Sequence, residues 1–309
     1  MAAEYNATLI GRTEVAPGLV ILRIEPDKRP FEFVPGQYAV LGLKATEGRV
    51  GEADADRPAI ELALAPSSDP DGLLAVESQA ATAARVAADP DRLIRRAFCM
   101  TSGSRVSEYL EFYVTLILSG ELTPRLFNLQ TGDRLFIGSK AEGIFTLDPS
   151  STRHVLMVAT GTGLAPYMSM MRNELEPGIQ GRVAEEGLGQ CDGPRQYVMV
   201  HGARTSWDLA FRTELTGLAR RCENFHYIPV ITRAHEDDSW SGRTGYLQTV
   251  IASNAIEEET GLVVTPDDFE IFVCGNPGMV DSVIDWAQER GFTLDNGDDQ
   301  GTIHAEKFW

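Results

Sequence analysis

The chain has 309 residues, 43% of them apolar, and 45 acidic against 27 basic side chains give a formal charge of −18. It is long enough to fill two cores and too acidic for nucleic acid to be a natural partner. No apolar run approaches the roughly 18 residues a bilayer crossing needs, and the polar start, Met1 to Thr8, is not signal-like, so the expectation is a soluble, cytoplasmic monomer without membrane contact.

Residues 1 to about 150 read as β-rich. The runs TLIGRTEV, LVILRIE, QYAVLGL, LEFYVTLIL and DRLFIGS carry β-branched and aromatic residues between Pro17-Gly18, Pro35-Gly36, Gly120 and Gly132-Asp133, which predicts an antiparallel barrel or sandwich. Residues 45 to 92 interrupt this pattern with ten acids and four arginines around AIELALA and the alanine-rich LAVESQAATAARVAA. They predict an excursion holding a strand and a short helix. In Arg95-Arg96-Ala97-Phe98-Cys99-Met100-Thr101-Ser102 an arginine stands two residues before an aromatic, so on a strand Arg96 and Phe98 share a face. That face either offers a fork to a diphosphate and a plane to a flat ring, or is a solvated arginine beside a core phenylalanine. Further on, Gly120-Glu121-Leu122-Thr123-Pro124-Arg125-Leu126 makes Thr123 the expected N-cap and Pro124 the first helical residue. This is a second helix start able to receive phosphate, or an ordinary capped connection.

From residue 154 the rhythm changes. HVLMVAT, QYVMVHGA, FHYIPVI and FEIFVCG alternate with helix-like 166–175, 206–221, 245–253 and 277–290, the signature of a doubly wound parallel sheet. The boundary is expected near Asp148-Pro149-Ser150-Ser151, dividing the chain into 1–150 and 151–309. Residues 177–195, with five glycines, read as a surface loop. The first strand of this half runs into Ala159-Thr160-Gly161-Thr162-Gly163 and then Ala165-Pro166. Glycines there permit φ > 0 and close approach of a ligand. Pro166 stands where the dinucleotide fingerprint has its third glycine, and the P-loop Gly-Lys-Ser/Thr is absent, so the turn by itself reads as a tight turn or as an anion seat. Cys99, Cys191, Cys222 and Cys274 lie far apart without CxxC pairs. That spacing predicts free thiols in a reducing compartment and no metal site, leaving any redox chemistry to a bound organic cofactor.

In order along the chain, Arg96-x-Phe98-Cys99, Phe112-Tyr113-Val114, Gly120-x-Leu122-Thr123-Pro124-Arg125-Leu126, Gly132-Asp133, the Thr160 to Gly163 turn, Cys274-Gly275-Asn276-Pro277-x-Met279-Val280 and the terminal Ala305-Glu306-Lys307-Phe308-Trp309 together resemble the bacterial branch of the ferredoxin-NADP⁺ reductases, in the plant-type flavoreductase superfamily. The resemblance implies an N-terminal antiparallel FAD-binding β-barrel and a C-terminal parallel α/β domain for NADP(H), with the flavin at the seam. It implies hydride exchange between NADPH and FAD and single-electron exchange with ferredoxin or flavodoxin. By motif, Arg96 and Thr123 would hold the FAD diphosphate, Phe98 would flank the flavin, and the backbone of Phe112, Tyr113 and Val114 would line its adenosine or ribityl side. Gly161, Thr162 and Gly163 would face the nicotinamide, with Thr160 at the flavin edge. Met100, Gly120, Leu122, Gly275, Asn276 and Met279 complete the cofactor-binding set, and Trp309 would stack on FAD. The catalytic set is Cys99, Cys274 and Glu306, with Cys274 positioning and Glu306 relaying a proton. Phe98-Cys99 replaces the family's Tyr-Ser; a thiol is a weaker donor than a hydroxyl, so the flavin potential is expected to depart from the family norm.

Arg204, Arg233 and Arg243 follow successive predicted strands or the loops beyond them and resemble the family's readers of a 2′-phosphate. Two charge-assisted bonds of about 1.5 kcal/mol each would favour NADP(H) over NAD(H) roughly a hundredfold. Docking an acidic carrier on so acidic a protein needs a local basic surface, expected from Lys28, Arg29, Arg92, Arg95, Arg96 and Lys307. Two other functions are the reductase component of an oxygenase system, working with a separate carrier, and a non-catalytic FAD-binding electron-transfer subunit, against which the three arginines and the glycine turn count.

Overall fold

The computed structural model describes residues 4–54, 89, 91–106, 108–175, 191, 193–296 and 301–307. Two compact units emerge. The first draws its described residues from Met1–Phe31, Tyr38–Phe98 and Ser107–Ala141, the second from Glu32–Gln37, Cys99–Val106 and Glu142–Trp309. The sequence argues for one cut near Asp148; the units instead interleave, because two short N-terminal segments pack with the second unit.

The first unit is a six-stranded sheet of β1 (Ala7–Ala16), β2 (Leu19–Pro26), β3 (Tyr38–Lys44), β4 (Leu93–Cys99), β5 (Leu110–Thr115) and β6 (Arg134–Ile137), in the order β4-β3-β6-β1-β2-β5. The pairs β1–β2, β1–β6, β2–β5 and β3–β6 are antiparallel, as the alternating runs predict. In β2 the buried residues Val20, Leu22 and Ile24 alternate with more exposed ones, so one face packs inward and the other meets solvent. Pro17-Gly18 closes the β1–β2 hairpin, with Gly18 at φ +77°. Between β3 and β4 the described residues hold one helical turn, α1 (Gly51–Asp54); the expected strand AIELALA and the alanine-rich helix lie outside the described residues. After β5 comes α2 (Thr123–Asn128). Its cap is Leu122, not Thr123, because the Thr123 hydroxyl accepts from the Ile117 amide at 2.9 Å and donates to the Ile117 carbonyl at 3.2 Å. The side chain ties a loop instead of capping a helix.

The second unit is a parallel sheet of β7 (His154–Thr160), β8 (Tyr197–Ala203), β9 (Phe225–Ile231), β10 (Arg243–Thr244), β11 (Phe269–Gly275) and β12 (Ile303–Lys307), ordered β10-β9-β8-β7-β11-β12. Its helices are α3 (Ala165–Glu174), α4 (Arg212–Arg221), α5 (Leu247–Ala252), α6 (Ala255–Thr260) and α7 (Pro277–Gln288). One core joins Val158, Val200 and Val230 to Leu247, Ile251, Val280 and Val283. The other joins Met157 and Ala159 to Tyr167, Met171, Leu215 and Leu218. Helices thus cover both faces, which explains why β7 and β11 are apolar at successive positions.

The helix expected over 206–221 is divided: a 3₁₀ turn at Ser206–Asp208 precedes α4, with Phe211 left-handed at φ +57° between them. Strands β10 and β12 and helix α6 have no counterpart in the sequence reading. Most of the expected loop 177–195 lies outside the described residues. No helix among the described residues is long and apolar enough to cross a membrane. The expectation of four free thiols is corrected: Cys191 and Cys222 form a disulfide, S–S 2.01 Å, while Cys99 and Cys274 are free and buried. A separation of 31 residues gives no local spacing signal; the fold brings the loop before β8 to the end of α4.

Candidate functional site

Sequence order runs outward from β7 to β10 on one side and returns through β11 and β12 on the other. The switch point therefore lies between β7 and β11, where ligands lodge beyond the carboxyl ends of a parallel sheet. Here the two strand ends are locked together. The Thr160 hydroxyl accepts from the Asn276 amide at 3.0 Å. A Cβ on Gly163 would fall 2.3 Å from the Cys274 carbonyl oxygen, and one on Gly275, at φ +134°, would fall 2.3 Å from Thr160 Oγ1. These two positions need glycine because backbone meets backbone there.

Among the described residues Gly161 has no neighbour within 4 Å of the place its Cβ would take, and Thr162 is half-buried, so this turn has an open side. The residues 161–164 form a 3₁₀ turn, after which α3 starts with Pro166 in its first turn. On the other strand, Asn276 caps α7 by accepting from the Met279 amide at 3.2 Å, with Pro277 next. Two helix starts thus follow the two joined strand ends, each with a positive dipole end. The side chain of Met279 belongs to the core beneath and its amide is taken by Asn276, so Met279 serves to shape the helix start.

Glu306 on β12 lies opposite Cys274 in the parallel register with β11. It is half-buried, not an exposed tail carboxylate. Burial pushes its pKa up to about 7, and Cys99 Sγ lies 4.0 Å from Glu306 Oε2. Burial also raises both free thiols well above the ordinary range, with Glu306 contributing at each and Cys99 at Cys274. Cys99 and Cys274 are therefore neutral at pH 7 and poor nucleophiles, while Glu306 sits at the midpoint where a carboxyl can give or take a proton. The segment carrying Cys99 is fixed on α3: Ser169 donates to the Ser102 carbonyl at 2.8 Å, and Arg172 donates to the Thr101 carbonyl at 2.9 Å while pairing with Glu214 at 2.6 and 2.7 Å.

In the first unit, Arg96 and Phe98 do share a face of β4. Arg96 is exposed, with its Nη1 donating to the Arg95 carbonyl at 2.8 Å, and the Phe98 ring is half-buried. An anion can meet the guanidinium's remaining donors beside an accessible ring. Phe112, Tyr113, Val114, Met100 and Leu122 are buried, so their side chains are packing residues and only backbone is offered. Gly120 donates to the Ile117 carbonyl at 2.9 Å, within the loop that Thr123 ties. Trp309 and Phe308 lie outside the described residues.

Arg204, Arg233 and Arg243 stand at the carboxyl edge as expected. The Arg233 amide donates to the Arg204 carbonyl at 2.7 Å, and Arg243 is in register with Val230 of β9. All three already have acidic neighbours: Asp208 for Arg204, Glu236 for Arg233, and both Glu258 and Glu259 for Arg243. His201, buried on β8 and hydrogen-bonded to Tyr227 at 3.1 Å, has its pKa lowered by burial to about 3 and adds no charge here. Two large exposed rings on the same edge escape the sequence reading, Trp207 at 49% and Tyr246 at 66% exposure. Their only sequence signal is proximity to Arg204 and Arg243. Among the six residues expected to form a basic docking surface, Arg29 pairs with Glu25, Arg92 with Glu121 and Lys307 with Asp281, so half of their charge is met within the chain.

Residues 157–285 match the family model for the oxidoreductase NAD-binding domain. The chain is 28% identical to the flavodoxin/ferredoxin–NADP reductase of Buchnera aphidicola subsp. Baizongia pistaciae over 71% of its own length and 82% of that protein. It is 31% identical to ferredoxin–NADP reductase B of Sorangium cellulosum over 71% and 80%. Among solved structures, a ferredoxin NADP⁺ reductase from Neisseria gonorrhoeae with bound FAD and NADP superposes with a TM-score of 0.69 at 20% identity, covering 98% of this chain and 97% of that one.

Proposed function

The chain belongs to the ferredoxin–NADP reductase family, and on that premise we propose that it is an FAD enzyme moving electrons between NADP(H) and a one-electron carrier of the ferredoxin or flavodoxin kind. Bound FAD supplies the hydride and single-electron chemistry. The residues fit that group: the exposed guanidinium of Arg96 for the diphosphate, the half-buried Phe98 ring for the flavin plane, and the buried strand Phe112–Val114 as a backbone wall. A Thr123 hydroxyl already committed to Ile117 leaves its residue a part in shaping the loop.

The observation that carries the nicotinamide side is the switch-point crevice, where Gly163 and Gly275 allow the two strand ends to touch and Gly161 leaves the turn open. Thr162 and both helix starts adjoin it. Glu306, titrating near 7 beside Cys99, holds or releases a proton at its carboxyl oxygen. Cys99 and Cys274, neutral and buried, add no charge beside the carboxyl. The exposed Tyr246 and Trp207 offer flat faces for an adenine near the arginines.

The test is to mix the purified FAD-loaded protein with NADPH in the absence of oxygen. Rapid bleaching of the yellow colour followed by reduction of cytochrome c through added ferredoxin or flavodoxin is the expected result. A flavin that stays oxidised would leave only a non-catalytic subunit, and a protein that stays colourless with excess FAD would end the proposal.

A further inference from the structure

The three arginines at the carboxyl edge differ in how firmly they are held. Arg204 and Arg233 each meet one acid of their own loop, at 3.7 and 3.5 Å, and both arginines are well exposed. Arg243 is held by two carboxylates, Nε donating to Glu259 Oε1 at 2.9 Å and Nη2 to Glu258 Oε2 at 3.0 Å, and Nη2 also donates to the Ala255 carbonyl at 3.5 Å. The Arg243 side chain is only 29% exposed, whereas those of Glu258 and Glu259 are 64% and 49% exposed. Nε and Nη2 form one of the two edges with which arginine grips a phosphate bidentately, so the glutamates occupy donors that a 2′-phosphate would use. Counting Arg204, Arg233 and Arg243 against Asp208, Glu236, Glu258 and Glu259, three positive charges face four negative ones.

We propose that Glu258 and Glu259 of α6 act as a built-in competitor for the 2′-phosphate at Arg243, and so lower this protein's discrimination between NADPH and NADH. The inference rests on the reading of Arg243 as a phosphate reader. A 2′-phosphate must displace two carboxylates or accept them as like-charged neighbours, and both cost binding. Because the carboxylates are exposed, each pair is worth little and the clamp opens readily. Removing both charges is expected to tighten a 2′-phosphate about tenfold, equivalent to about 1.4 kcal/mol.

The experiment titrates the FAD-loaded protein calorimetrically with 2′-phospho-AMP and, in parallel, with 5′-AMP. E258Q/E259Q should bind 2′-phospho-AMP about tenfold more tightly and 5′-AMP unchanged. E257Q, one residue earlier on the helix, controls for overall charge and should move neither ligand by more than about twofold, since exposed charges are screened. Wild-type or weaker binding of 2′-phospho-AMP by the double variant would overturn the inference, the glutamates then being spectators or supports for the guanidinium. R243Q separates the two claims: it should weaken 2′-phospho-AMP and spare 5′-AMP. An unchanged ratio in R243Q would remove the reading of Arg243 itself, whatever the glutamate variants do.

Discussion

Gly275→Ala is the sharpest test of the switch-point knot. The new Cβ would stand 2.3 Å from Thr160 Oγ1, 2.7 Å from the Thr160 carbonyl oxygen and 3.0 Å from its amide nitrogen, at a residue whose φ is +134°. The backbone strain costs about 1–3 kcal/mol and the overpacking about another 1–3 kcal/mol, so a loss of roughly 4 kcal/mol is expected. Relief of the overlap by moving Thr160 also breaks its 3.0 Å bond with the Asn276 amide. Urea unfolding measures the loss. The double variant T160A/G275A should recover only part of it, because the backbone oxygen at 2.7 Å remains. Gly278→Ala serves as control: among the described residues its Cβ meets nothing closer than Asn276 Oδ1 at 3.3 Å, and alanine favours the helix by up to about 1 kcal/mol. If Gly275→Ala costs less than about 1 kcal/mol, on the scale of an ordinary surface change, the argument that backbone contact fixes this crevice is wrong.

Glu306 should leave a signature in the pH dependence of stability. Its folded pKa is raised from 4.5 to about 7, so the folded chain keeps a proton that the unfolded chain releases. This contribution is absent below pH 4.5 and destabilises increasingly up to pH 7. The full shift corresponds to about 3.4 kcal/mol, reduced to about 1–2 kcal/mol for a half-buried group. Glu306→Gln should therefore gain about 1–2 kcal/mol relative to wild type between pH 5 and pH 8 in urea unfolding; a pH-independent difference would argue against the shift. Arg96→Ala is expected to weaken FAD about 10–100-fold in titration of the apoprotein, whereas Arg95→Ala, on the opposite face of β4, should change it little. Equal effects would mean that the strand face does not matter.

Much of the architecture is written in local pattern. Alternating burial in β2 and unbroken burial in β7 follow directly from which residues stand at successive positions, because a strand's side-chain period is two and each face meets a fixed environment. Elements with little apolar content of their own were not legible. Strand β10 is two residues long and exists through pairing with β9, and β12 carries His304, Glu306 and Lys307 in a strand that only its neighbour β11 makes recognisable. The Thr160–Gly163 turn is legible as a turn from its glycines, yet the need for glycine at 163 lies in Cys274, more than a hundred positions away.

The sequence by itself determined the β-rich and α/β halves, the glycine-bearing turns and the inventory of arginines, because these depend on residues adjacent in the chain. Tertiary structure alone decided their charge state and company. It buried Glu306 beside Cys99, joined Cys191 to Cys222, and set Glu258 and Glu259 against Arg243. Proton affinity, thiol pairing and ion pairing all depend on distance through space, and a chain folded back on itself sets those distances without leaving a local trace in its spacing.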